Sequence, residues 1–182
     1  GKSLVIAAFV AGVLSRWPNQ RILILTHRKE LIGQNSNKLF QVWPQAPIGI
    51  YSAGLGEKVH WMPVTFGGIQ SVYNALDKFS QKFDLILVDE CHMISPNSLG
   101  RYGKTIGHFK EINPKTKVIG LTATDYRLRQ GMLTDETYTT DGDAIPALFT
   151  DVVYDLTDVA GFNRLVAEGY LSKPVCKPTH TQ

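Results

Sequence analysis

Two pairs of residues carry types that could do chemistry together. Lys2 and Ser3 stand directly ahead of an apolar run, and Asp89 and Glu90 close another one. A lysine and a serine at the start of a helix suit an anion, because backbone N–H groups point outward there and the helix dipole favours negative charge. Gly1-Lys2-Ser3 matches the last three residues of the phosphate-loop pattern G-x-x-x-x-G-K-[ST]. In that chemistry the Lys2 ammonium reaches the β- and γ-phosphates and the Ser3 hydroxyl ligates Mg²⁺. Alone, so short a pattern arises by chance. Asp89 at a strand's carboxyl end can hold Mg²⁺, directly or through water. Glu90 can orient and deprotonate a water that attacks a γ-phosphate. A buried strand followed by a solvated acidic turn would read the same way.

A third element is Thr122-Ala123-Thr124, after a strand at 117–119. Its hydroxyls can hydrogen-bond to the acidic pair across a sheet edge, although threonine is also at home in ordinary turns. Cys91-His92 and Cys176-x-x-x-His180 could be set against one another as zinc ligands, a weaker reading.

The elements that must position these residues alternate. Ile22–Thr26, Leu85–Val88 and Val118–Leu121 are short apolar runs of the kind buried on both faces of a parallel sheet. Val64–Phe66, Val152–Leu156 and Ile48–Tyr51 are weaker strand candidates. The patterning predicts helices over Leu4–Leu14, Lys29–Val42, Gln70–Leu76 and Val159–Glu168, the last stopped by Gly169. Strands separated by helices give βαβ units: an α/β three-layer sandwich with a mostly parallel central sheet. Leu133–Pro146, rich in Thr, Asp and Gly, reads as an exposed loop. Ser172–Gln182 reads as a linker or tail.

Composition limits the alternatives. A chain of 182 residues suits one domain, or one and part of another. With 43% hydrophobic and 19% charged residues it is no disordered chain. Nineteen basic residues against 16 acidic give +3, compatible with a nucleic-acid partner but too weak to require one. Two cysteines form no disulfide framework, which points to a reducing, cytoplasmic location. The apolar run Leu4–Leu14 falls short of the ~20 residues that span a bilayer. Lys2 ahead of that run mimics a signal peptide, but no Ala-x-Ala site follows. No membrane partner is expected.

Taken together, these segments resemble the first RecA-like domain of superfamily 2 helicases, the DEAD/DEAH-box (DExH) group. Asp89-Glu90-Cys91-His92 is a DExH box, and Thr122-Ala123-Thr124 is similar to motif III. Leu25-Thr26-His27-Arg28-Lys29-Glu30-Leu31 resembles motif Ia. Thr65-Phe66-Gly67-Gly68-Ile69-Gln70-Ser71 resembles the next nucleic-acid motif, with the glycine turn Ser52-Ala53-Gly54-Leu55-Gly56 between them. The order is right and the resemblance spans nearly the whole chain.

The resemblance implies a P-loop NTPase fold with residues 1–171 as helicase domain 1, and 172–182 leading towards a second RecA-like domain. It implies ATP and Mg²⁺ as cofactors, with Gly1, Lys2 and Ser3 on the nucleotide, Ser3 and Asp89 on Mg²⁺, and Lys2, Asp89 and Glu90 catalytic. His92, Thr122, Ala123 and Thr124 would couple ATP state to nucleic-acid grip. Thr26, His27, Arg28, Gly54, Thr65 and Gln70 would contact single- or double-stranded nucleic acid. Short polar residues and glycines allow close approach of a phosphodiester backbone, and Arg28 adds charge. His27-Arg28 would equally serve as a turn before the next helix. DNA is preferred over RNA by analogy with repair and restriction-type relatives.

The sequence departs from the family at Asp125, where many relatives carry proline, and in lacking the first half of the phosphate loop and the second domain. Without the ~10³–10⁵ contributed by an arginine finger, the isolated chain is expected to hydrolyse ATP barely. Two rival readings are a P-loop ATPase motor that never touches nucleic acid and a non-catalytic nucleotide-binding scaffold. The motif Ia segment argues against the first, and the intact Asp89-Glu90 pair against the second.

Overall fold

Ile22–Thr26 (β1) is buried at every position, because both its faces are covered. Ile22 and Ile24 enter one apolar layer, with Ile6, Ala7, Val10 and Leu14 of α1 (Lys2–Arg16) and Ile32 and Leu39 of α2 (Lys29–Val42). Leu23 and Leu25 enter the opposite layer, with Ile69 and Val72 of α3 (Ile69–Tyr73) and Tyr102, Ile106 and Phe109 of α4 (Pro96–Ile112). Leu85–Asp89 (β5) splits the same way, Leu85 and Leu87 to one side and Ile86 and Val88 to the other. The side-chain alternation of a strand thus builds both cores of the sandwich. The structure, a computed structural model, describes residues 2–94, 96–124, 126–127, 131–138, 142, 144–145, 147, 149–156 and 159–169.

The remaining strands of the main sheet are β2 (Ile48–Ser52), β3 (Glu57–Lys58), β4 (Val64–Gly68) and β6 (Lys117–Leu121). The order is β3-β2-β4-β1-β5-β6, parallel throughout except for β3 against β2. Thr26 lies opposite Gly68, and Asp89 opposite Leu121. The carboxyl ends of these strands, and the residues that follow them, therefore share one edge of the sheet, where ligands of such sheets bind.

Several expectations change. Helix α1 runs further at both ends than Leu4–Leu14, whereas α2 has the expected bounds. The helix expected over Gln70–Leu76 ends at Tyr73, and a separate 3₁₀ turn covers Leu76–Lys78. Helix α4 was not expected, because Gly100, Gly103 and Gly107 argue against a helix. Tyr102, Thr105, Ile106 and Phe109 nevertheless fall on one buried stripe, and packing outweighs propensity. The segment 133–146 is not wholly a loop. Leu133 is buried, and β9 (Thr137–Tyr138) pairs with β10 (Ala144–Ile145). Just before it, β7 (Tyr126–Arg127) pairs with β8 (Gly131–Met132).

The chain divides into two compact units, Gly1–Phe149 and Thr150–Gln182. In the second unit, Val152–Leu156 forms no strand. Val153 and Tyr154 stay exposed at 92% and 72%, with no partner strand recorded among the described residues. That unit also holds α5 (Val159–Ala167), with Arg164 paired to Glu168 at 2.9 Å. Gly1, Asp125, Leu128, Cys176, His180 and the expected tail lie outside the described residues. No helix among the described residues is long and apolar enough to cross a membrane.

Candidate functional site

At the end of β5 the backbone turns sharply. Glu90 adopts φ 53 and ψ 46, the left-handed region, and is the one non-glycine residue with positive φ among those described. Such a conformation costs on the order of 1–3 kcal/mol and concentrates at functional sites. Here it ends the strand and begins the 3₁₀ turn Cys91–Met93. Glu90 Oε1 lies 2.6 Å from Lys2 Nζ at the amino end of α1. The pair is partly exposed, so it adds at most ~1 kcal/mol to stability. Its weight lies in what it brings together.

Glu90 Oε2 is 3.3 Å from His92 Nδ1, which is also 2.8 Å from Thr122 Oγ1. Thr122 Oγ1 donates to the Thr124 carbonyl at 2.6 Å and accepts from the Thr124 amide at 3.0 Å. With the Thr122 proton so committed, and with a carboxylate on the other side, His92 must carry its proton on Nδ1 and donate it to both. A continuous polar path therefore runs from Lys2 through Glu90 and His92 to the Thr122–Thr124 turn. Lys2, Arg28, Leu31, Glu90, His92, Met93 and Ala123 line a groove of about 370 Å³ beside it.

Asp89 is 2% exposed. Its Oδ2 accepts from Asn35 Nδ2 at 2.7 Å and its Oδ1 from the Glu90 amide at 3.0 Å. Each oxygen keeps a lone pair. The available set, a hydroxyl at Ser3 and the carboxylate of Asp89, is the oxygen chemistry Mg²⁺ takes. A carboxylate so buried and doubly engaged suits contact through one of the waters Mg²⁺ usually retains. Asn35 was not singled out from the sequence. Its signal was present: Ile32, Asn35, Ser36 and Leu39 form one buried stripe of α2, and an asparagine there needs a partner. Cys91 is buried, which pushes its thiol up to about 12 and leaves it protonated, unsuited to zinc.

The expected nucleic-acid residues separate into two groups. Arg28 is exposed and lines the groove, while Gly54, on the 3₁₀ turn Ala53–Leu55, and Gln70, at the start of α3, are also exposed. The Ala53 amide donates to Ser71 Oγ at 2.9 Å and so ties the glycine turn to the start of α3. His27 is half-buried, edge-on to the Tyr102 ring at 5.4 Å. Burial, then the charges of Arg101 and Arg28, lower its pKa. Thr26 and Thr65 are fully buried, contrary to a role in direct contact. Thr26 Oγ1 donates to the Arg28 carbonyl at 3.1 Å, shaping the loop from below. Thr65 Oγ1 donates to the carbonyls of Met62 and His60 at 3.1 and 3.3 Å.

A parallel sheet covered on both faces, with a lysine at the amino end of its first helix meeting the acidic tip of a strand, defines the RecA-like class of P-loop domain. The profile of the family described as "Type III restriction enzyme, res subunit" matches residues 1–127, and the chain belongs to that family. Over 112 residues it is 31% identical to a Saccharomyces cerevisiae protein named as an ATP-dependent helicase, IRC3, covering 60% of this chain and 16% of that protein. Two structures of the UvsW helicase of bacteriophage T4 share the fold. One, at 19% identity, has a TM-score of 0.51 over 69% of this chain and 44% of that chain. The other, at 21% identity, has a TM-score of 0.53 over 72% of this chain and 26% of that one. The chain thus spans a minor part of each of these relatives. Its fold is that of the first RecA-like domain of a superfamily 2 helicase.

Proposed function

We propose that this chain is the ATP-binding domain of a nucleic-acid-dependent ATPase that moves along or separates DNA strands. The observation that carries the reading is the 2.6 Å meeting of Lys2 and Glu90 at the carboxyl edge of the sheet. In this reading Lys2 and Ser3 hold the triphosphate end of ATP, and Ser3 and Asp89 hold Mg²⁺. The metal, when bound, neutralises charge on the phosphates. Glu90 takes the proton of the attacking water. His92, between Glu90 and Thr122, links the base to the Thr122–Thr124 turn. Arg28, Gly54 and Gln70 face the nucleic-acid backbone, and a second RecA-like domain in the whole protein closes the cleft. The DECH and Thr-Ala-Thr segments, with the restriction-enzyme family of this chain, favour DNA over RNA. The scarcity of cysteine favours a cytoplasmic site of action.

The test is ATP hydrolysis by the full-length protein with no nucleic acid, with single-stranded DNA and with single-stranded RNA. The expected result is turnover that rises several-fold with DNA and less with RNA. Turnover indifferent to both would favour a motor of another kind. No turnover under any condition would favour a scaffold.

A further inference from the structure

We propose that Asn35 is the positioning residue that fixes the carboxylate of Asp89 for Mg²⁺. The inference rests on the ATPase reading above. Asn35 sits in mid-α2, fully buried, and is the side-chain donor to Asp89, at 2.7 Å. A carboxylate only accepts, so the amide must present its Nδ2 to it. The second donor, the Glu90 amide, holds the other oxygen. Two donors from two elements, one on each oxygen, stop the carboxylate from rotating about its Cβ–Cγ bond. The remaining lone pairs then point in fixed directions. Hydrogen-bonded ligating carboxylates of this kind tune metal affinity.

The choice of asparagine is not explained by packing. Its neighbours on the stripe, Ile32 and Leu39, belong to the apolar layer. Its Oδ1 is buried with no hydrogen-bond partner among the described residues. An unpaired buried carbonyl is a cost to the folded state, and an apolar residue of the same size would avoid it. What asparagine supplies in exchange is the bond to Asp89. Helix α2 begins directly after Arg28, so this bond also ties the helix behind the groove-lining loop to the tip of β5.

The experiment uses Asn35→Leu and Asn35→Ala in the full-length protein. Binding of a fluorescent, non-hydrolysable ATP analogue is measured in EDTA and across a Mg²⁺ titration, alongside melting temperature and steady-state kinetics. Both variants are expected to bind the analogue as wild type does in EDTA. The Mg²⁺ concentration at half-maximal binding should rise ~10–100-fold. At saturating Mg²⁺, kcat should fall with KM for ATP little changed. The melting temperature of the leucine variant should match or exceed wild type. Midpoints within twofold of wild type in a folded variant overturn this inference alone. Equal loss of binding in EDTA assigns Asn35 a merely structural role and also overturns it. A wild-type protein that binds the analogue no better with Mg²⁺ than in EDTA overturns the ATPase reading, and this inference with it.

Discussion

Lys2 Nζ and Glu90 Oε1 stand 2.6 Å apart, one at the first residue of α1 and the other one step past the end of β5. The same ammonium that the phosphate-loop pattern assigns to a triphosphate here occupies an oxygen of the proposed base. The two roles compete. A triphosphate carries more charge than one carboxylate and offers more oxygens, so under the proposed function Lys2 would turn to it on nucleotide binding and release Glu90 Oε1 to accept a proton.

Replacing Glu90 by Gln separates these roles. The amide keeps the shape and can still accept from Lys2, but takes no proton. In the full-length protein, ATP turnover should fall ~10²–10⁴-fold, the range of general-base effects. Nucleotide affinity should stay within a few-fold of wild type, because Lys2 loses a competing anion. Steady-state hydrolysis and equilibrium nucleotide binding check both halves. Undiminished turnover would place the base elsewhere.

Arg28 and Thr65 were read together as backbone contacts, and their burial separates them. Arg28→Ala should weaken single-stranded DNA binding and lower the slope of log affinity against log salt by ~0.7, the share of one phosphate contact on a single strand. Thr65→Val keeps the volume and removes a hydroxyl that donates to two carbonyls. It should cost ~1 kcal/mol of stability and leave the salt slope unchanged. Binding measured at several salt concentrations, with urea unfolding alongside, distinguishes the two outcomes. A Thr65→Val protein with normal stability and a reduced slope would restore the contact role.

The contrast shows what sequence could and could not tell. Strands β1 and β5 were legible because a strand buried on both faces leaves an uninterrupted apolar run, and the partly buried β6 was legible from a shorter one. Helix α4 was not, because its glycines argue against a helix that its buried stripe of Tyr102, Ile106 and Phe109 enforces in context. That Lys2 and the acidic strand end would meet was legible from residue type, because a phosphate-loop lysine and a carboxylate pair at a strand tip suit the same ligand. Exposure was not. Thr26 and Arg28 stand two positions apart, and only folding decides that one hydroxyl points inward to a carbonyl while one guanidinium lines the groove. Asn35 was missed for a related reason: its partner comes from β5, and nothing local to α2 names it.

His27 gives the fold a pH dependence of definite sign. Its pKa is lowered from an ordinary 6.5, first by burial and then by Arg101 and Arg28. The unfolded chain therefore takes up this proton more readily than the native one, and stability rises with pH through that window. The contribution is complete above about pH 6.5 and is lost as pH falls below it. His27→Phe removes the titration and keeps a ring against Tyr102, which His27 meets edge-on at 5.4 Å. Unfolding free energies of wild type and variant, measured by urea from about pH 8 to about pH 5, should diverge as pH falls through about 6.5, with wild type falling faster. Carboxylates titrate lower and act on both proteins alike. Parallel curves across the whole range would mean that His27 takes up its proton as easily folded as unfolded, despite the two arginines beside it.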